Sequence, residues 1–226
     1  MSWREAACHK IPGTLDFAEA AAYSAAYLTA YVALVCRGNL QPGETLLVHG
    51  ATGGVGLAAV DIGKLLGATV IATSASSEKL KVVKSRGADH VLNLTGGFRE
   101  QVKELTGGGG ADVIYDPVGG DVFDESVRCI AWNGRLLIIG FAGGRIPSLP
   151  VNMPLIKGFS VIGVRAGEYG RRDPAAGRAN IEAIMRLAAD GKIRPHICAR
   201  FPLERAVDAL RMLQNREAIG KVVIEM

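Results

Sequence analysis

From residue 45 onward, short apolar runs alternate with amphipathic stretches and glycine-bearing turns. The runs near 45–49, 69–73, 90–92, 112–116, 135–139 and 159–164 are brief and rich in Val, Ile and Leu, and they read as strands. Helical spacing appears near 54–66, 77–86, 97–105 and 121–131, and Gly67, Gly87 and Gly134 stand where helices should end. Runs such as Leu136-Leu137-Ile138-Ile139 are apolar at every position, which suits a parallel sheet covered on both faces. Strand and helix in strict alternation predict an α/β, doubly wound parallel (Rossmann) sheet of six main strands, in the order 3-2-1-4-5-6. Ahead of it, residues 14–38 read as one or two helices. Asp16 followed by Glu19 is a capping-box pair, and Gly38 is a stop. After Pro174 the rhythm changes to an amphipathic helix at 175–190, a loop with Pro195, a helix at 203–214 and a last strand, Lys221-Val222-Val223-Ile224. The chain thus divides into an N-terminal linker with helices (1–38), the sheet domain (39–173), and C-terminal helices with a strand (174–226).

The segment Thr45 to Ser74 carries the clearest chemistry. A strand runs into Ala51-Thr52-Gly53-Gly54-Val55-Gly56, then a helix, then a second strand. This is the unit that binds a dinucleotide, with alanine at the first position of the G-x-G-x-x-G pattern. Gly53 would let backbone approach a pyrophosphate, and Gly56 would let the helix pack on the strand. The helix start offers free N–H groups and partial positive charge to the phosphates. The competing reading is a tight strand-to-helix turn with no ligand.

Dinucleotide sites that select NAD place an Asp or Glu at the tip of the second strand, where it binds the ribose 2′-hydroxyl. Here that tip reads Ala72-Thr73-Ser74-Ala75-Ser76-Ser77-Glu78-Lys79, with no acid before Glu78. Hydroxyls and a lysine suit the extra charge of a 2′-phosphate, so NADP(H) is expected over NAD(H). Lys79 could equally be a solvated helix-face cation. Ligands of such sheets bind beyond the carboxyl ends of the strands, which singles out loops 50–56, 74–79, 93–95, 116–120 and 140–144. Gly107-Gly108-Gly109-Gly110 is set aside, because a strand rather than a helix follows it.

Composition narrows the picture further. The 226 residues carry a net charge of +4 spread along the chain, which does not call for nucleic acid. The cysteines Cys8, Cys36, Cys129 and Cys198 are far apart and the four histidines are scattered, so no metal site or disulfide framework is visible. The first residues are charged and carry no apolar signal core, and Ala20 to Val35 reads as a buried helix too short for a membrane span. A soluble, cytoplasmic chain is expected.

Several motifs in order resemble one family. They are Ala51 to Gly56, Glu78-Lys79, Gly87-Ala88-Asp89, Tyr115-Asp116-Pro117-Val118-Gly119, Gly140-Phe141 and Gly220-Lys221-Val222-Val223, with Leu15 to Ala21 and Tyr27 to Tyr31 ahead of them. Together they resemble the medium-chain dehydrogenase/reductase superfamily, and within it the zinc-free NADPH:quinone oxidoreductases of the zeta-crystallin group. The resemblance implies hydride transfer from NADPH to a quinone or α,β-unsaturated carbonyl, with no metal. It implies Thr29 near the nicotinamide and Gly53, Gly54 and Val55 at the pyrophosphate. Ala75 and Lys79 would lie at the 2′-phosphate, beside Ser74, which the strand-tip reading already places there, and Pro117, Val118, Gly140, Phe141 and Ala142 along the cofactor's path. It names no general acid; Tyr31, Tyr115 and Tyr169 qualify by residue type alone. Two positions depart from the family: Leu94 stands where a tyrosine is usual, and Arg165-Ala166 where an aromatic pair is usual. Members also begin with a GroES-like domain, which the last strands normally complete. This sequence starts where that domain would end, as a truncated form, a cleaved product or a short gene product would. A homodimer through the sixth strand, Phe159 to Val164, is implied as well. The alternatives are an NADPH-binding or sensing module without turnover, or a dimeric interaction protein.

Overall fold

The computed structural model describes residues 9–226; Cys8 lies outside them. Six parallel strands form one sheet: β1 (Thr45–Val48), β2 (Thr69–Ser74), β3 (His90–Asn93), β4 (Ala111–Asp116), β5 (Ile130–Ile138) and β6 (Ser160–Gly163). Their order is β3-β2-β1-β4-β5-β6, as the alternation predicts. Central strands are buried on both faces, and alternate side chains serve two separate cores. Leu46, Val48, Val70, Ala72, Val113, Tyr115 and Leu137 belong to one. Leu47, Ile71, Ile114 and Leu136 belong to the other. That division is why the strand sequences show no polar face.

The crossovers are α2 (Gly54–Leu65), α3 (Ser77–Ser85), α4 (Arg99–Leu105), α5 (Gly120–Ser126) and α6 (Asn152–Lys157). Beyond β6 come α7 (Ala166–Arg172) and α8 (Pro174–Ala189), with Asp173 capping α8 through the N–H groups of Ala175 and Ala176. In front of the sheet stands α1 (Phe17–Tyr31), which runs straight into a π-helical turn at Val32–Arg37. Its capping box is formed in full: Asp16 Oδ1 accepts from Glu19 N–H at 2.7 Å, and Glu19 Oε2 accepts from Asp16 N–H at 3.0 Å. The whole rod Phe17–Arg37 has 21 residues and a mean hydropathy of 1.2, so length does not rule out a membrane span, contrary to expectation. Half of it is buried here, where α1 packs on α2 and α8.

Three other expectations need correction. The helix expected near 121–131 stops at Ser126, and β5 begins at Ile130. Gly134 therefore sits inside a strand rather than at a helix end. Ala111 pairs with Ile130 but Val113 with Arg135, so residues 131–134 bulge out, with Asn133 at φ +59°. The bulge turns Trp132 to the surface, against Gly158. Second, α6 and α7 were not foreseen, each being too short for its period to register. Third, residues 197–202 form a strand, β7 (Ile197–Pro202), which pairs in parallel with β8 (Lys221–Glu225) in a separate two-stranded sheet. The helix between them is a 3-10 turn at Leu203–Arg205 followed by α9 (Ala206–Gln214).

The seat of α2 on β1 governs the rest. A Cβ added at Gly56 would meet Gly50 O at 2.3 Å and Ala51 Cα at 2.7 Å, both backbone atoms that cannot swing aside. Only glycine permits this approach. Gly56→Val is expected to lower unfolding free energy by about 1–3 kcal/mol, as overpacking does. Urea unfolding checks this, and a change below about 0.5 kcal/mol would show that helix and strand can separate freely.

Candidate cofactor site

The turn between β1 and α2 is held by its neighbours' backbones. His49 N–H donates to Tyr115 O at 3.0 Å, and Ala51 N–H donates to Thr73 O at 3.1 Å. Gly50 faces the side chains of Pro117 and Val118. Gly53 is the N-cap of α2, exposed, and no side chain caps the helix. The first helical bond runs from Leu57 N–H to Gly53 O at 2.9 Å. The N–H groups of Gly54 and Val55 thus belong to a first turn without a side-chain cap at the carboxyl edge of the sheet, where Gly53 bridges to Gly220 and the Lys221 side chain lies against Gly54. An anion there would meet unshared donors and the positive end of the helix dipole.

The loops after β4 and β5 come together beside it. Asp116 Oδ1 accepts from the N–H groups of Val118 at 2.8 Å and Gly119 at 2.9 Å, which folds the loop back on its own strand. Gly119 has φ +69° and ψ −154°, a conformation open to glycine. Ala142 N–H donates to Pro117 O at 3.0 Å and Gly143 N–H to Val118 O at 2.8 Å, while Phe141 lies against Gly119. Pro117, Val118, Gly140, Phe141 and Ala142 thus share one rim with the glycine turn. The other Asp116 carboxylate oxygen is buried without a partner, and burial pushes this carboxyl above its ordinary range.

Beneath the rim lies His49, which the sequence marked only as a scattered polar residue. It is fully buried, with Nδ1 2.8 Å from Thr73 Oγ1 and Nε2 2.8 Å from Ser126 Oγ. Ser126 Oγ donates to Val122 O at 2.7 Å. Its single hydrogen is therefore spent, so Nε2 must carry the imidazole proton and Nδ1 must accept from Thr73. One neutral ring ties the tip of β1 to β2 and to α5. Burial lowers its pKa to about 3.

At the tip of β2, Ser74 is buried and its Oγ accepts from Ser76 N–H at 3.3 Å; Thr52 Oγ1 is 3.4 Å away. Ala75 is exposed, and Ser76 caps α3 by accepting from Lys79 N–H. Lys79 is not a free surface cation. Its ammonium donates to Ala218 O at 3.0 Å and to Arg216 O. Thr29 lies on α1, its hydroxyl turned back to Ala25 O at 2.8 Å. Of the three tyrosines, Tyr115 is sealed in the core and cannot touch a substrate. Tyr31 is half-buried, and Tyr169 lines an open cavity of about 420 Å³ with Arg37 and Arg165. Cys36, Cys129 and Cys198 are free thiols, and among the described residues no three His, Cys, Asp or Glu side chains gather as a metal site would need.

Comparison with known proteins gives the same outline. Residues 54–187 match the family described as zinc-binding dehydrogenase. The chain is 42% identical over 223 residues to the quinone oxidoreductase-like protein 2 homolog of Nematostella vectensis, covering 97% of this chain and 61% of that protein. A mycobacterial protein solved in complex with NADPH superposes with a TM-score of 0.89 at 30% identity, over 96% of this chain and 67% of the other. An NAD-dependent alcohol dehydrogenase superposes with a TM-score of 0.89 at 34% identity, over 99% and 63%. The chain spans less than two thirds of the length of the curated relative.

The buried histidine makes stability depend on pH in one direction. The unfolded chain takes up a proton at His49 below pH about 6.5, whereas the folded chain does not until about 3. This group has no effect above pH 7 and removes stability as pH falls through that window, by up to about 1.4 kcal/mol per unit. His49→Gln is expected to flatten the slope of unfolding free energy between pH 6 and pH 4 relative to the parent chain. Equal slopes would mean that His49 titrates normally in the fold.

Proposed function

The chain belongs to the zinc-binding dehydrogenase family of the medium-chain dehydrogenase/reductase superfamily, and on that premise we propose that it is the NADP(H)-holding part of a reductase acting on quinones or α,β-unsaturated carbonyls. Relatives named as oxidoreductases support the general class. The observation that carries the cofactor reading is the first turn of α2, without a side-chain cap, set on one rim with the loops after β4 and β5. When bound, the dinucleotide supplies a hydride from its nicotinamide. Everything else falls to the chain's own groups.

In this reading the turn of Gly53, Gly54 and Val55 holds the pyrophosphate through the first-turn N–H groups of α2, the Gly53 N–H itself being given to Gly50 O at 3.0 Å. Pro117, Val118, Gly140, Phe141 and Ala142 form the wall along which the cofactor lies. Asp116 and His49 keep that wall in place from below. Thr29 stands at the nicotinamide end. Ser74, Ala75 and Lys79 meet the 2′-phosphate. No carboxylate at the β2 tip competes for the ribose, and an ammonium favours the additional phosphate charge. The electron acceptor would take its proton from water.

A homodimer is part of the proposal. Val161 on β6 is 41% exposed, and Trp132 on the β5 bulge and Leu155 and Ile156 on α6 are more exposed still. An apolar sheet edge with such neighbours needs a cover, and a second copy meeting it strand to strand provides one. Light scattering is expected to give twice the chain mass, and Val161→Asp with Ile156→Glu to give the monomer. A parent chain that stays monomeric at high concentration removes this part.

For the cofactor, fluorescence titration is expected to show NADPH binding at least about tenfold tighter than NADH, with Lys79→Ala removing most of the difference. Equal binding of both, unchanged by the substitution, would overturn the NADP(H) assignment. The reductase assignment is tested on the longest natural form of the protein, by NADPH oxidation across a panel of quinones and enones. No turnover with any acceptor, despite tight NADPH binding, would leave a binding module instead.

A further inference from the structure

The partners of Lys79 come from the far end of the chain, 137 and 139 residues away. The segment that brings them is built, not draped. It leaves α9 at Asn215, whose N–H donates to Arg211 O at 2.8 Å. Arg216 then takes φ +57°, the left-handed region that a non-glycine residue seldom enters. Glu217 N–H returns to Met212 O at 3.0 Å, and Asn215 Nδ2 donates to Glu217 Oε1 at 3.1 Å. At its other end Gly220 N–H donates to Thr52 O at 2.8 Å, beside the glycine turn itself. The unusual Arg216 backbone and these ties turn the carbonyls of Arg216 and Ala218 toward α3, where both accept from the Lys79 ammonium.

We propose that residues 215–220 are a positioning strap for cofactor choice, presenting two backbone carbonyls that fix the Lys79 ammonium at the mouth of the 2′-phosphate site. The inference rests on the NADP(H) reading above. An ammonium has three hydrogens and no acceptor. Two are taken by the strap, which leaves one for an incoming anion. The carbonyls are neutral, so the positive charge remains available. A lysine otherwise free to swing is held in one place before the ligand arrives, and ordering it no longer subtracts from affinity. The strap adds no charge of its own through these contacts. Its effect should therefore fall on NADPH, which has the phosphate, and not on NADH, which lacks it. The same segment touches the pyrophosphate turn through Thr52, so both phosphate-bearing ends of the cleft share one support.

The test is a double-mutant cycle on the full chain, read by fluorescence titration with NADPH and with NADH. Glu217→Pro removes the N–H bond to Met212 and restricts the backbone of Arg216 without altering the Arg216 side chain. It is expected to weaken NADPH binding about tenfold, to leave NADH binding unchanged, and to have no further effect when Lys79 is already alanine. Glu217→Ala keeps the backbone bond to Met212 and loses only the side-chain bond from Asn215, so it is expected to leave NADH binding unchanged and to weaken NADPH binding less than Glu217→Pro does. If Glu217→Pro does not fold by circular dichroism, Glu217→Gly loosens the same turn and is expected to act in the same direction more weakly. Equal losses for NADPH and NADH would overturn the proposal, because the strap would then be a general structural support. So would an unchanged NADPH affinity, or the same loss with and without Lys79. If Lys79→Ala itself leaves NADPH binding untouched, the NADP(H) reading fails and takes the strap with it. A failure confined to the Glu217 variants leaves that reading standing.

Discussion

A helix can lie on a strand as closely as α2 lies on β1 only where no side chain stands between them. Gly56 meets the backbone of Gly50 and Ala51 within the space a single methyl group would need. That contact fixes the start of α2, where the helix has no side-chain cap at the sheet edge. The parallel order of the strands then sends the other loops to the same edge. Architecture and binding chemistry are thus two results of one close approach.

The edge is stiffened from below by polar groups held in dry surroundings. His49 is fully buried, and both its nitrogens are matched by hydroxyls of β2 and α5. Asp116 spends one oxygen on the loop that follows it and leaves the other without a partner. Groups like these are costly to bury unless satisfied, and once satisfied they permit few alternative arrangements. On the opposite side of α2, the Tyr27 hydroxyl lies 2.5 Å from the Asp61 carboxylate, which also pairs with Arg86 of the turn after α3. Helix, strand and loop are therefore fixed in relation to one another before any ligand binds.

Much of this was legible in the residues. Six apolar runs with helices between them pointed to the strand order, because the central runs are buried on both faces and carry little polar character to blur them. The capping box at Asp16 and Glu19 was readable because it is made by neighbours in sequence. The glycine turn and the loops at 116–120 and 140–144 were readable because glycine is required there by geometry. What stayed hidden depends on contacts between distant residues. The β5 bulge arises from pairing with β4 and left no mark beyond Asn133-Gly134. The strand β7 ends in proline and contains Arg200 and Cys198, and it becomes a strand only because β8 lies beside it. Lys79 could be seen as a cation near the site, but its two carbonyl partners could not be, since backbone atoms have no identity in a sequence.

The segment around α1 is stitched to the C-terminal part by bonds that include Thr14 Oγ1 to Ala188 O, Arg194 to Glu19, and Arg200 to Asp16. The partners are 174, 175 and 184 residues apart. Closing so long a stretch of chain is an entropic step that local helix and strand formation cannot advance. On the ribosome, where chain emerges at about 5–20 residues per second, α1 must wait for roughly ten to forty seconds before its counterpart exists. During that interval the sheet can assemble and α1 can meet α2, but the C-terminal partners of α1 are still missing. Docking of the C-terminal segment on α1 is then a late step, and the same step brings residues 215–220 to Lys79 and to Thr52 at the glycine turn.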